Sequence, residues 1–278
     1  MTTSLAVLQL SGCSGCEVSL LNGDVWMQRQ DLAYMPLVLS TEDLPFVDTL
    51  LVSGAVYTED DLHRLRQAAK RTRRLVAVGT CAISGGVANL GSRRGAHEVF
   101  FQDPSRRELP HLLPELRAVD AVVPVDLYLP GCPPMPRLFE AVLGDGTFVP
   151  AKTVCQDCGR AKTHDQPDHL ARYKGEAVDP SRCLINQGYL CIGSSTRGGC
   201  GAPCTRAGHP CVGCRGPSNG FISRSADEWF AAIKRVFERM TVIPTSEIEA
   251  ELRSPGLSLF VFQFADYAAA PRDPAKVL

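Results

Sequence analysis

The stretch "LQLSGCSGCEVSLL", residues 8–21, sets two thiols, Cys13 and Cys16, directly after an apolar run. An apolar run that breaks at glycine reads as a buried strand, so the two thiols sit on its lip. A C-x2-C pair there suits a redox dithiol, half of a zinc site, or the first two ligands of an iron–sulfur cluster. The remaining cysteines discriminate, and where they fall depends on the strands around them.

Outward from this stretch, short apolar runs alternate with helical segments. "LAVLQL" (5–10), "YMPLVLS" (34–40), "DTLLVSG" (48–54), "RLVAVGT" (74–80) and "AVVPVDLYLPG" (121–131) read as strands. Between them the clearest helix starts at Thr58 as N-cap, with Asp61 three residues on. Doubly apolar strands alternating with helices predict an α/β fold with a parallel sheet covered on both faces, spanning residues 1–150. From 151 the chain is rich in Gly, Pro and Cys and poor in periodicity until about residue 222. Such a loop-rich segment is expected to hold little core and to be ordered by something other than side-chain burial. A helix then returns: Ser225 and Glu228 form a capping box, and Trp229, Phe230, Ile233, Val236, Phe237 and Met240 make one apolar face. The run from Leu257 to Phe264 reads as a packed strand or a face that a partner subunit covers.

With 278 residues the chain is long enough for one large or two ordinary domains, and its net charge of −1 calls for neither nucleic acid nor an anionic membrane. The basic run "KRTRR", Lys70–Arg74, reads as a solvated helix end, with a docking patch for a redox partner as the alternative. No apolar run approaches the roughly 20 residues of a transmembrane segment. The opening "MTTSLAVLQL" has no basic region or cleavage site, so it reads as a strand rather than an export signal. A cytoplasmic, reduced protein is expected, and 12 cysteines in a reducing compartment point to metal.

These cysteines sort into groups. Cys13 and Cys16 follow the first strand, Cys81 follows "RLVAVGT" and Cys132 follows "VDLYLPG", each with a glycine (12, 15, 79 or 131) within two residues. The carboxyl ends of parallel strands face one crevice, so these four thiols converge there, suited to a [4Fe–4S] cluster. Taken singly, Cys81 or Cys132 would pass as a small buried hydrophobe. Eight more cysteines lie in "CQDC" (Cys155, Cys158), "CLINQGYLC" (Cys183, Cys191), "CGAPC" (Cys200, Cys204) and "CVGC" (Cys211, Cys214). Two zinc sites would use as many thiols, and spacing leaves both chemistries open. His209, beside Cys211, reads as a loop histidine or a residue facing a cluster. There is no phosphate-binding G-x-x-x-x-G-K-[ST] loop and no H-E-x-x-H pair.

Taken together, "GCSGCEVSLL", "VGTCAISGGV", "LPGCPP" and "GGCGAPC…GHPCVGC" resemble the small, electron-transferring subunit of [NiFe] hydrogenases. The likeness is to the cytoplasmic kind found in viologen- or deazaflavin-reducing and heterodisulfide-reductase-linked complexes. The resemblance implies a flavodoxin-like domain, residues 1–150, followed by a loop-rich iron–sulfur domain, residues 151–278. It implies three [4Fe–4S] clusters. Cys13, Cys16, Cys81 and Cys132 would hold the proximal one and Cys200, Cys204, Cys211 and Cys214 the medial one. Cys155, Cys158, Cys183 and Cys191 would hold the distal one. The nickel–iron site would belong to a separate large subunit, and a further electron-acceptor subunit is expected. The alternatives are a cluster-carrying subunit of another respiratory-type complex and a zinc-stapled interaction protein. Glu17, beside Cys16, is a candidate proton relay; its bland role is an acidic residue in a first helical turn.

Overall fold

The structure is a computed structural model that describes residues 2–89, 110–144, 150, 152–171, 178–253 and 273–278. Two compact units result. The first runs Met1–Val149 and takes in Ala275–Leu278; the second begins at Pro150.

Seven strands lie among the described residues of the first unit: β1 (Thr3–Gln9), β2 (Gln30–Tyr34), β3 (Val47–Ser53), β4 (Val56–Thr58), β5 (Thr72–Val78), β6 (Leu112–Arg117) and β7 (Leu127–Leu129). Five of them form a parallel sheet of order β2-β1-β3-β5-β7, the doubly wound, flavodoxin-like sequence of strands. Registers such as Ala6↔Leu50 and Leu50↔Leu75 align the apolar runs side by side. In β3, the middle strand, Val47, Leu50, Leu51 and Val52 are all but inaccessible, as a strand covered on both faces must be. On one face Leu5, Val7, Leu51, Val76 and Leu129 pack with Leu20, Trp26, Leu138 and Phe139. The helices positioned by the sheet are α1 (Gly15–Leu21), α2 (Glu59–Ala69), α3 (Gly79–Ser84) and α4 (Pro136–Leu143). At the start of α2 the capping box forms in both directions: Asp61 N donates to Thr58 Oγ1 at 2.9 Å, and Thr58 N to Asp61 Oδ2 at 3.0 Å.

Three sequence readings shift. The strand expected over 34–40 instead lies at Gln30–Tyr34, because Pro36 offers no ladder donor and the chain turns at once. From 121–131 only Leu127–Leu129 pairs as a strand; Val119–Ala121 is a 3-10 turn and Pro124 interrupts the run. The basic run is a helix end only at Lys70, the cap of α2. Beyond it Arg71 donates to Leu44 O at 2.7 Å, and Arg73 pairs with Asp48 at 3.2 Å and lies over the Phe46 ring. Arg74 donates to Val142 O at 3.3 Å, so the run is tied to this unit's own groups. β4 and β6 form a short antiparallel pair that periodicity did not reveal. At the far edge of the sheet Val277 pairs with Tyr128, and Leu278 N donates to Tyr128 O at 3.1 Å.

The second unit contains α5 (Val154–Cys158), α6 (Pro203–Arg206), α7 (Ala226–Met240) and α8 (Thr245–Arg253). Ser225 and Glu228 make the expected capping box on α7. The expectation of little core is corrected here. Trp229, Ile233 and Phe237 of α7 and Ile248 and Leu252 of α8 bury Val154, Leu170, Leu184, Ile185, Tyr189 and Ile192 of the loop-rich segment. The two helices that follow supply the apolar surface that the loops lack. Polar side chains order the rest. Arg160 Nε donates to Thr205 O at 2.7 Å and its NH1 to Arg182 O at 2.9 Å. The amide of Asn186, 2% exposed, closes a ring with Thr163 N at 3.1 Å and Asp165 O at 2.8 Å. Loop carbonyls buried without such partners would each cost about 1–3 kcal/mol. The expected tail strand, 257–264, lies outside the described residues.

Candidate metal centres

At the carboxyl end of the first unit's sheet, Cys13 and Cys16 come from the β1–α1 turn, Cys81 from α3 after β5, and Cys132 from the loop after β7. Thr80 N donates to Gly131 O at 2.9 Å and so joins the second and third of these loops. The four thiols are close enough to act on one another. Burial pushes the Cys16 thiol well above its ordinary value, with Glu17, Cys81, Cys132 and Cys13 adding to the push. Cys81 is raised too, chiefly by burial, against hydrogen bonds from the Ala88 and Val87 amides that favour its thiolate. Cys13 is exposed and the other three are half-buried.

Glycine makes room for this set. Ser14 takes the left-handed conformation, φ 62°, to bring Cys16 round onto the first turn of α1. Gly79 has φ +81°, and a Cβ there would stand 2.4 Å from Cys16 Sγ. At Gly86 a Cβ would stand 3.1 Å from Cys81 Sγ. Side chains in either place would fill the cradle between thiols. Mutually repelling thiolates in a desolvated cradle, met by backbone amides, need iron or another cation to hold them ionised, and four thiols suit an iron–sulfur cubane.

Glu17 is buried, 2% exposed, although it lies in the first turn of α1. Ser53 Oγ donates to its Oε1, and its Oε2 has no hydrogen-bond partner. The carboxylate lines a cleft of about 390 Å³ with Ser11, Met35, Leu37, Asp60 and Arg64. It therefore turns inward and is not a solvated helix-end charge.

In the second unit Cys155, Cys158, Cys183 and Cys191 form one group. Burial pushes Cys155 up to about 11, with Cys183 and Cys158 adding to it against Lys162. Cys191, buried, is pushed up to about 12 by burial, with Cys155 and Cys183 nearby and amide donors at Gly193 and Cys211 opposing. The remaining four fall into pairs. Cys200 and Cys204 act on each other; Cys211 is pushed up by burial, then by Cys191 of the first group and by Cys214. Ala202 N donates to Cys200 Sγ at 3.4 Å, and Cys211 N to Cys191 Sγ at 3.3 Å, so amides meet thiols here as well. Among the described residues no three metal-ligating side chains are gathered as a single-ion site. His209 is an exposed loop residue whose Nδ1 donates to Pro210 O at 2.8 Å.

Two residues of this region escaped the reading of the sequence. Asp157, inside "CQDC", accepts from Gly199 N at 2.6 Å and Gly201 N at 3.1 Å, the amides flanking Cys200. Arg215 follows Cys214 directly and is 1% exposed. Their signal was a charge set among glycines, prolines and thiols, where nothing else explains one.

Residues 13–145 match the family described as NADH ubiquinone oxidoreductase, 20 Kd subunit. An F420-non-reducing hydrogenase subunit of the vhu type from Methanococcus voltae is 32% identical over 245 residues, covering 80% of this chain and 85% of that protein. The delta subunit of sulfhydrogenase 2 from Pyrococcus furiosus is 30% identical over 260 residues, covering 90% and 98%. In fold, the chain is similar to a solved chain of the [NiFeSe] hydrogenase of Desulfovibrio vulgaris Hildenborough, with TM-score 0.50 at 20% identity over 78% of this chain and 94% of that one.

Proposed function

The chain belongs to the family of [NiFe]-hydrogenase small, iron–sulfur subunits, and from that premise we propose that it conducts electrons through three [4Fe–4S] clusters. Cys13, Cys16, Cys81 and Cys132 hold the proximal cluster, which exchanges electrons with the active site of a large subunit. Cys200, Cys204, Cys211 and Cys214 hold the medial one, and Cys155, Cys158, Cys183 and Cys191 the distal one, which faces an acceptor subunit. The clusters supply one-electron chemistry. The protein's own part is to desolvate the thiols, aim amides at them and keep side chains out of the cradle. Glu17, buried beside Cys16 and lining the cleft, is the residue placed to relay protons near the proximal set. All twelve cysteines are free, which suits a reducing, cytoplasmic location.

The observation that carries this reading is the convergence of four thiols, from positions as far apart as 13 and 132, around glycines 79 and 86. A subunit of a quinone-reducing complex would account for residues 13–145 and leave eight cysteines unexplained. Anaerobic iron, sulfide and zinc assays on the native complex test the proposal. Three cubanes give about 12 irons and as many labile sulfides per chain, alongside a nickel-containing partner. About four irons with two zincs would leave the proximal cluster standing and overturn the other two.

A further inference from the structure

Arg215 is among the largest fully buried side chains of the molecule. It lies in a turn that Gly216 N closes onto Gly213 O at 2.8 Å, one residue beyond Cys214. Two hydrogen bonds join this turn to the segment that leads into Cys200. The Arg215 NH1 group donates to Gly198 O, and Arg197 N donates back to Gly216 O at 3.0 Å. The guanidinium thus ties the Cys211–Cys214 pair to the Cys200–Cys204 pair. Asp157 Oδ2 accepts from Gly199 N and Gly201 N of the same segment, so a cation and an anion both anchor it beside Cys200. A guanidinium removed from water is expensive unless anions surround it, and a cubane on four thiolates carries net negative charge.

We propose that Arg215 is the positioning residue of the medial set: it clamps the two cysteine pairs at the spacing of one cluster and raises that cluster's reduction potential by its fixed positive charge. The inference rests on the three-cluster reading above. Reduction adds one electron to the cluster and breaks no bond, so a fixed cation beside it favours the reduced state. Lysine keeps the positive charge and a donor for Gly198 O, so it is the conservative variant, whereas glutamine removes the charge.

The test uses the complex purified anaerobically, with Arg215→Gln and Arg215→Lys, each assayed for iron and titrated with dithionite under EPR. For R215Q the medial signal is expected to move to lower potential by at least about 59 mV, a tenfold change in a one-electron equilibrium, with the other two signals in place. R215K is expected to hold the wild-type equilibrium to within about threefold, since its charge remains. A fully loaded R215Q with an unmoved medial signal overturns the proposal, as does an equal shift in both variants. If R215Q loses the medial cluster, R215K decides: full iron and an unmoved signal support the proposal, and loss of the cluster there too overturns the role of charge. A wild-type complex lacking the third cluster overturns the reading beneath as well, and its iron count tells the two failures apart.

Discussion

Replacing Gly79 by alanine tests the proximal cradle with one methyl group. Two costs add. At φ +81° a Cβ crowds its own backbone, which costs about 1–2 kcal/mol. The same Cβ would stand 2.4 Å from Cys16 Sγ, where ordinary contact begins at 3.4 Å, so the sulfur must retreat by the difference, 1.0 Å. The first cost is small beside the stability of a domain. The second falls on Cys16, the proposed cluster ligand, whose place is fixed by α1 on one side and Val78 on the other. The expected result is a folded chain without its proximal cluster: about 8 irons in place of about 12, and loss of the proximal EPR signal with the other two intact. Gly159→Ala is the control. Gly159 also has positive φ, +73°, and also adjoins a cysteine, but its Cβ would meet nothing within 4 Å. It bears the backbone strain alone and should keep all its iron. A G79A variant with full iron and an unchanged proximal signal would refute the cradle.

Glu17→Gln keeps the size and the Ser53 hydrogen bond but removes the exchangeable proton; with clusters loaded, hydrogen turnover should fall about tenfold, or about 1.4 kcal/mol of barrier. Unchanged turnover would reduce Glu17 to a packing role. Cys204→Ala should open the segment around residues 199–214 to protease, while α7 and α8 stay protected because their core lies elsewhere; digestion into α7 would show that the medial cluster holds the whole unit. Glu228 is held below the usual carboxylate range, first by the Ser225 amide, so its contribution to the α7 cap is present above the unfolded pKa. That contribution is lost as pH falls through the lower, folded value. Amide exchange in the first turn of α7 should quicken over that window, and E228Q should lack this dependence.

The parallel sheet was legible because its strands are doubly buried and therefore continuously apolar, as "DTLLVSG" is. The two capping boxes were legible because a cap is a local arrangement between residues three apart. Strand edges were less so: Pro36 and Pro124 end apolar runs that composition alone would extend. The thiol groups stood out by number and by their glycines, which require room that other side chains would take. The core of the second unit was hidden because its two halves are far apart in sequence, the loop residues Leu184–Ile192 and the face of α7 beyond residue 226. Arg160 and Asn186 were hidden for another reason. Their work is done on distant carbonyls, and nothing in local periodicity records it.

The pairing of Tyr128 with Val277 sets an order on synthesis. The ribosome must make 277 − 128 = 149 further residues before this edge of the sheet can be closed, about 7–30 s at ordinary rates. All four proximal cysteines, 13 to 132, have emerged well before then. The nascent sheet thus has an unsealed border at β7 just when the thiols proposed for the proximal cluster are first available to iron. Loading of the first site can precede completion of its own domain, and Val277 and Leu278 act as the closing stitch.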